Sequence, residues 1–186
     1  MAERLELLIP EERIRAEVAA LARRIDADYR GKRLSLLVVL KGALIFAADL
    51  LRRIQTPCTV DFVSAASYGS GTRSSGIVAL GGLDGLDLAG RDVLVIEDIL
   101  DTGRTVAVIL DGLRRHEPAS LALCALLRKP AAAALDLPPA YIGFDIPDEF
   151  VVGYGMDHAE RYRNLPGIGR LVFDSLEEPG AGELNR

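Results

Sequence analysis

Cysteine is scarce in this chain of 186 residues: there are 2, Cys58 and Cys124, far apart and each in or beside an apolar run. That placement reads as buried free thiols. No CxxC pair and no Cys/His cluster is present, which excludes a zinc site of the common structural kinds. A cationic excess is missing too. The net charge is −5, from 22 Lys+Arg against 27 Asp+Glu. That argues against general binding to nucleic acid or to a membrane surface, since both need a cationic footprint. A small anionic ligand stays compatible, because a few backbone amides and one or two cations suffice locally. No apolar run approaches the roughly 20 residues needed to cross a bilayer. The opening "MAERLELLIPEERIRAEV" lacks the apolar core of a signal peptide. A cytoplasmic protein is the expectation.

What is present suits one folded domain: 49% of the residues are hydrophobic and 26% charged. Ile14, Val18, Leu21 and Ile25 recur at helical spacing after Pro10 and two acids. "LSLLVVL" (34–40) is a continuous apolar run, as in a strand covered on both faces. "KGALIFAADLLRRI" follows, and Leu44, Ala47, Ala48 and Leu51 suggest its buried stripe. "CTVDFVSAASY", "VLVIED" and "SLALCALL" read as further strands, with a helix carrying Val106, Ile109, Leu110 and Leu113 before the last of them. Alternating strands and helices predict an α/β fold with a mainly parallel sheet, whose ligands bind beyond the carboxyl ends of the strands. That rule gathers Lys41-Gly42, Glu97 to Thr105 and Lys129 on one rim. "ASYGSGTRSSG" (66–76) has the composition of a mobile loop, and the tail is expected to fray. No internal repeat or interdomain linker is visible.

The stretch "VLVIEDILDTGRTVAVIL" (93–110) sets three acids and a Thr-Gly-Arg-Thr turn between a strand and a helix. Backbone N–H groups at such a helix start, a glycine that permits close approach and two hydroxyls make a good cradle for a phosphate monoester. Glu97 and Asp98, adjacent at a strand end, suit the two hydroxyls of a ribose. Together they describe a ribose 5-phosphate site. The common glycine-rich alternatives fail, for there is no GxGxxG after a strand and no GxxxxGK[ST]. Each residue alone also fits a plainer role. Thr102 or Thr105 could cap the helix, Lys41 could reach solvent, Phe150 could lie in the core, and Lys129 before Pro130 could mark a turn.

"VLVIEDILDTGRT" resembles the phosphoribosyl-pyrophosphate (PRPP) signature of the type I phosphoribosyltransferases. "VVLKGALIFAADL", "VDFVSAASYGSGTRSSG", "LLRKP" and "GFDIPDEFVVGYGMDHAERYRNLP" stand in the order of the hypoxanthine-guanine phosphoribosyltransferases. The resemblance spans roughly residues 9 to 170. It implies a single domain with the type I fold: a core over about 34–140, a small hood from about 1–33 and 141–176, and a flexible tail, 177–186. It implies that Asp101, Thr102, Gly103, Arg104 and Thr105 hold the 5-phosphate and that Glu97 and Asp98 bind the ribose hydroxyls, directly or through metal-bound water. Lys41 and Gly42 would meet pyrophosphate, with unusual peptide geometry before the lysine, and Arg163 would contact it. Ser67 and Tyr68 would belong to a loop that closes over the site. Lys129 would bond the purine 6-oxo group, Phe150 would stack on the base, Val151 would meet its edge, and Asp157 would ligate a pyrophosphate-bound Mg²⁺. His158 and His116 receive no role.

The implied reaction joins N9 of hypoxanthine or guanine to C1 of PRPP, giving IMP or GMP and pyrophosphate. Mg²⁺ is the implied cofactor, and a homodimer or homotetramer the implied assembly; neither nucleic acid nor membrane is an expected partner. A transferase preferring xanthine or guanine, or a PRPP-sensing regulator that binds nucleic acid, would share much of the pattern. Asp101 is the expected proton acceptor near purine N7. Asp101→Asn should therefore lower kcat by about 10²- to 10⁴-fold while the KM for PRPP stays within a few-fold, read from steady-state kinetics. Equal loss of PRPP affinity would make Asp101 a binding residue instead.

Overall fold

A computed structural model of the protein describes residues 3–67, 78–130 and 139–173. Tyr68, nearly all of the 66–76 loop and the whole 177–186 tail lie outside the described residues. The described elements run β1 (Glu3–Ile9), α1 (Glu11–Asp28), β2 (Leu34–Leu40), α2 (Leu44–Leu51), β3 (Cys58–Ser67), β4 (Val78–Gly81), β5 (Asp92–Leu100), α3 (Arg104–Arg114), β6 (Ser120–Arg128), β7 (Tyr141–Asp145), β8 (Val151–Val152) and β9 (Ile168–Phe173). The main sheet has the order β4-β3-β2-β5-β6-β7. Neighbours from β3 to β7 pair parallel, and β4 lies antiparallel on the outer edge of β3.

The continuous apolar runs are explained by a core on each face of that sheet. Along β2, Leu34, Leu36 and Val38 pack with α1 and α2 residues such as Leu21, Ile25 and Phe46, whereas Leu37 and Val39 pack with Val106, Ile109 and Leu113 of α3. Strand β5 divides in the same way, Leu94 and Ile96 to one side and Val93 and Val95 to the other. A strand covered twice has no polar face to show, so period-2 alternation disappears. α1 opens on Pro10 with Glu11 and Glu12 in its first turn, where the dipole favours acids.

β1, β9 and β8 form a separate antiparallel sheet, β1 pairing with β9 in register from Glu3↔Phe173 to Leu7↔Gly169 and shifting by one residue before Ile9↔Ile168. It packs on the α1 side through Ile9, Val151 and Ile168, joined by Tyr154 and Met156 from the segment after β8. Of the other segments expected in a hood, α1 packs against α2 and β7, and β7 continues the main sheet. Both cysteines are free thiols, Cys124 buried and Cys58 partly exposed.

The expected stripe on α2 is corrected. Ala43, Phe46, Ala47 and Leu50 face the core, while Leu44, Ala48 and Leu51 are exposed. The segment LIFAADLL is apolar nearly all round, so spacing alone allows several stripes. The ring of Phe46 has the largest area to hide, and burying it decides the rotation. Phe46→Ala should destabilise the fold by about 3–5 kcal/mol and Leu44→Ala by less than about 1 kcal/mol, compared by urea unfolding. Equal costs would restore the other stripe.

Candidate active site

Three parallel strands end side by side, and each delivers polar groups to the same rim. β2 stops at Leu40; the Leu40–Lys41 peptide is cis, as expected for this turn. Gly42 follows, pressed against the next strand. A Cβ there would collide with the Asp98 carboxylate, which would have to move aside to admit any other residue. β5 carries Glu97 and Asp98 and runs on to Leu100, slightly past the end expected from sequence. The turn 101–103 then leads into α3, whose N-cap is Gly103 at φ 76°. Glycine at the cap position offers no side chain of its own, and Thr102 Oγ1 accepts the Arg104 N–H at 3.5 Å, a long bond to the first residue of α3. After β6, the Lys129 N–H donates to Leu100 O at 2.8 Å, holding this turn beside the previous one.

The terminal segments close the far side. Lys41, Gly42, Asp98, Asp101, Lys129, Phe150, Val151, Asp157 and Arg163 line one cleft of about 650 Å³, together with Leu40, Ser64, Ile99, Met156 and Glu160. A second depression of about 310 Å³ is lined by Glu97 through Val106, including Thr102, Gly103, Arg104 and Thr105. Asp98, Ile99 and Asp101 border both hollows. All the expected site residues on described side chains therefore line one of two adjoining hollows. Ser67 is the last residue of β3, paired with Val78.

Charges in the cleft are arranged in groups. The Lys129 ammonium, its side chain 10% exposed, lies 3.2 Å from Asp148 Oδ1 and 3.4 Å from Asp101 Oδ1. Arg163 reaches Asp157 Oδ1 at 2.7 Å and Glu160 Oε2 at 3.1 Å, and donates to Gly155 O at 2.9 Å. Lys41 Nζ meets Glu160 Oε1 at 3.0 Å. Glu97 is buried: one oxygen accepts the Asp98 N–H at 3.2 Å and the other has no hydrogen-bond partner among the described residues. Burial pushes its carboxyl well above the usual carboxylate range, and the neighbouring Asp98 charge adds to the shift. Phe150 does not lie in the core; it is 49% exposed, with His158 edge-on at 5.4 Å between ring centres. An aromatic face left open in a polar cleft can stack on a flat ring.

Sequence reasoning missed Ser64, Ile99, Met156 and Glu160. Ser64 could have been found from the sheet, because it stands opposite Leu40 in the β2–β3 register. Glu160 looked like an ordinary surface acid three residues before an arginine. Among the described residues no group of three or more His, Cys, Asp or Glu could by itself hold a metal.

Comparison with known proteins agrees with this geometry. Residues 9–159 match the family model described as phosphoribosyl transferase domain. The chain is 46% identical over 176 residues to the hypoxanthine phosphoribosyltransferase of Salmonella typhimurium, covering 93% of this chain and 98% of that one. It is 48% identical over 172 residues to the hypoxanthine-guanine phosphoribosyltransferase of Mycobacterium avium, covering 89% and 84%. A crystal structure of a hypoxanthine-guanine phosphoribosyltransferase from Bacillus anthracis superposes with a TM-score of 0.83 at 42% identity, covering 92% of this chain and 100% of that one.

The contact between Gly42 and Asp98 makes a direct test. Gly42→Ala must push the turn or the carboxylate aside, an overpacking cost of about 1–3 kcal/mol, measurable as a lower urea midpoint together with lost ligand binding. Unchanged stability and binding would mean that the turn does not press on Asp98.

Proposed function

The chain belongs to the phosphoribosyl transferase domain family, and from that membership we propose that it is a purine salvage enzyme, moving the 5-phosphoribosyl group of PRPP to N9 of hypoxanthine and of guanine. IMP or GMP and pyrophosphate are the products. Relatives named hypoxanthine or hypoxanthine-guanine phosphoribosyltransferase, matched along almost the whole chain, support the reaction class. The observation that carries the base is the pair Asp101 and Lys129, 3.4 Å apart in the cleft beside the exposed ring of Phe150. O6 and N7 are neighbours on one purine edge. A lysine and a carboxylate side by side suit that edge, the ammonium donating to O6 and the carboxylate receiving the proton at N7. Asp148 and Asp101 hold the Lys129 side chain in place on either side.

In this reading the 101–105 turn and the start of α3 bind the 5-phosphate, and Glu97 and Asp98 face the ribose hydroxyls. Lys41, Gly42 and Arg163 take the pyrophosphate, Phe150 stacks on the base and Val151 meets its edge. The barrier is departure of pyrophosphate from a ribose that becomes cation-like, so fixed donors at the pyrophosphate end lower it, and exclusion of water keeps the sugar for the purine.

Mg²⁺ commonly binds through one or two carboxylates, with water and substrate phosphate completing the shell. The sparse carboxylates here fit that manner of binding: Asp157 would hold the ion, with Glu97 and Asp98 near the ribose as further acceptors. When bound, it supplies positive charge against the leaving pyrophosphate. A homodimer or homotetramer is part of the proposal, and the exposed Leu44, Ile45 and Leu51 on α2 support a partner surface. No described helix is long and apolar enough to cross a membrane, and a cytoplasmic setting is proposed.

A PRPP assay with Mg²⁺ and parallel hypoxanthine, guanine, xanthine and adenine tests the base reading. Hypoxanthine and guanine should turn over, while adenine, whose 6-amino group would oppose the Lys129 donor, should be slower by roughly 10⁴-fold in kcat/KM. Adenine turnover near that of hypoxanthine would contradict the role of Lys129. Xanthine as the best substrate would move the protein to the xanthine-preferring class.

A further inference from the structure

Among the described residues, Glu160 is the one cleft acid that touches both cations assigned above to pyrophosphate. Its Oε1 lies 3.0 Å from Lys41 Nζ and its Oε2 3.1 Å from Arg163 Nη2. The side chain is 66% exposed, and exposed ion pairs add little to stability, so fold stability does not account for this bridge. The backbone nevertheless holds it in place. Ala159 and Glu160 both adopt positive φ, 51° and 61°, which non-glycine residues rarely do, and such conformations gather at functional sites. The Glu160 N–H donates to Asp157 Oδ2 at 2.9 Å, tying this turn to the acid assigned to the metal.

We propose that Glu160 is an internal stand-in for the pyrophosphate anion, a carboxylate that clamps Lys41 and Arg163 together in the free enzyme and must be displaced when PRPP or pyrophosphate binds. The proposal rests on the reading of this cleft as the PRPP site. Its physics is competition: a polyanion reaching Lys41 and Arg163 must break both ion pairs of Glu160 and approach a second carboxylate, Asp157, beside Arg163. Glu160 thereby weakens the hold on both substrate and product and keeps the two cations paired in between. It is a positioning residue, acting through Lys41 and Arg163.

Pyrophosphate binding in Mg²⁺, measured by calorimetry on the wild type and Glu160→Gln, tests this, with kinetics run beside it. Glu160→Gln removes the charge from an exposed side chain, and its melting temperature should match the wild type. Its Kd for pyrophosphate should fall about two- to thirtyfold, the range given by two exposed ion pairs, and the KM for PRPP should fall with it. In a Lys41→Met background the gain should shrink to roughly its square root, because one of the two ion pairs is already gone. A gain undiminished in that background would show a general charge effect and overturn the clamp. Equal or weaker pyrophosphate binding by Glu160→Gln, with the wild type binding normally, would overturn it while leaving the site reading intact. No pyrophosphate binding by either protein and no PRPP turnover would remove the site reading and the clamp together.

Discussion

Five neighbouring strands, β3, β2, β5, β6 and β7, run parallel and are therefore obliged to open their carboxyl ends on one edge of the molecule. The rest of the site depends on that constraint. Residues separated by tens of positions, Lys41 after β2, Asp98 on β5 and Lys129 after β6, become neighbours because their strands do. The buried runs that fix the strands are far from the chemistry, packed against α1 and α2 on one face and α3 on the other. The close approach of Gly42 to Asp98 shows how tightly the rim is drawn together: the Asp98 carboxylate lies where a side chain on the turn after β2 would begin.

Charge in the cleft is balanced internally. Lys129 sits between Asp101 and Asp148, and Arg163 between Asp157 and Glu160. Such pairing keeps side chains ordered while leaving them exchangeable, since surface ion pairs are weak compared with the charge-assisted bonds a phosphorylated ligand can make. Glu97 differs from these acids. Its buried carboxyl, with one oxygen unpartnered and its acidity suppressed by burial, is the kind of costly group that persists where a ligand needs it.

Most of the main sheet and most of the site could be read from sequence, for separable reasons. Continuous apolar runs mark β2, β5 and β6 because both faces are covered, and three acids with a glycine turn after β5 are more than an ordinary loop needs. The rotation of α2 could not be read, because LIFAADLL offers apolar residues on nearly every side. β1 and β9 escaped notice because their pairing, Glu3 with Phe173, joins the two ends of the chain, and no local pattern records so distant a contact. Glu160 was hidden for a related reason: its meaning lies in Lys41, 119 residues away.

The claim on which all this turns is that the shared rim is a PRPP site. Calorimetric titration of the protein with PRPP, with and without Mg²⁺ and in the absence of any base, measures it most directly. Saturable binding of one PRPP per chain is predicted, tighter with Mg²⁺ and competed by pyrophosphate and by ribose 5-phosphate. Heats no different from dilution in both conditions would contradict it.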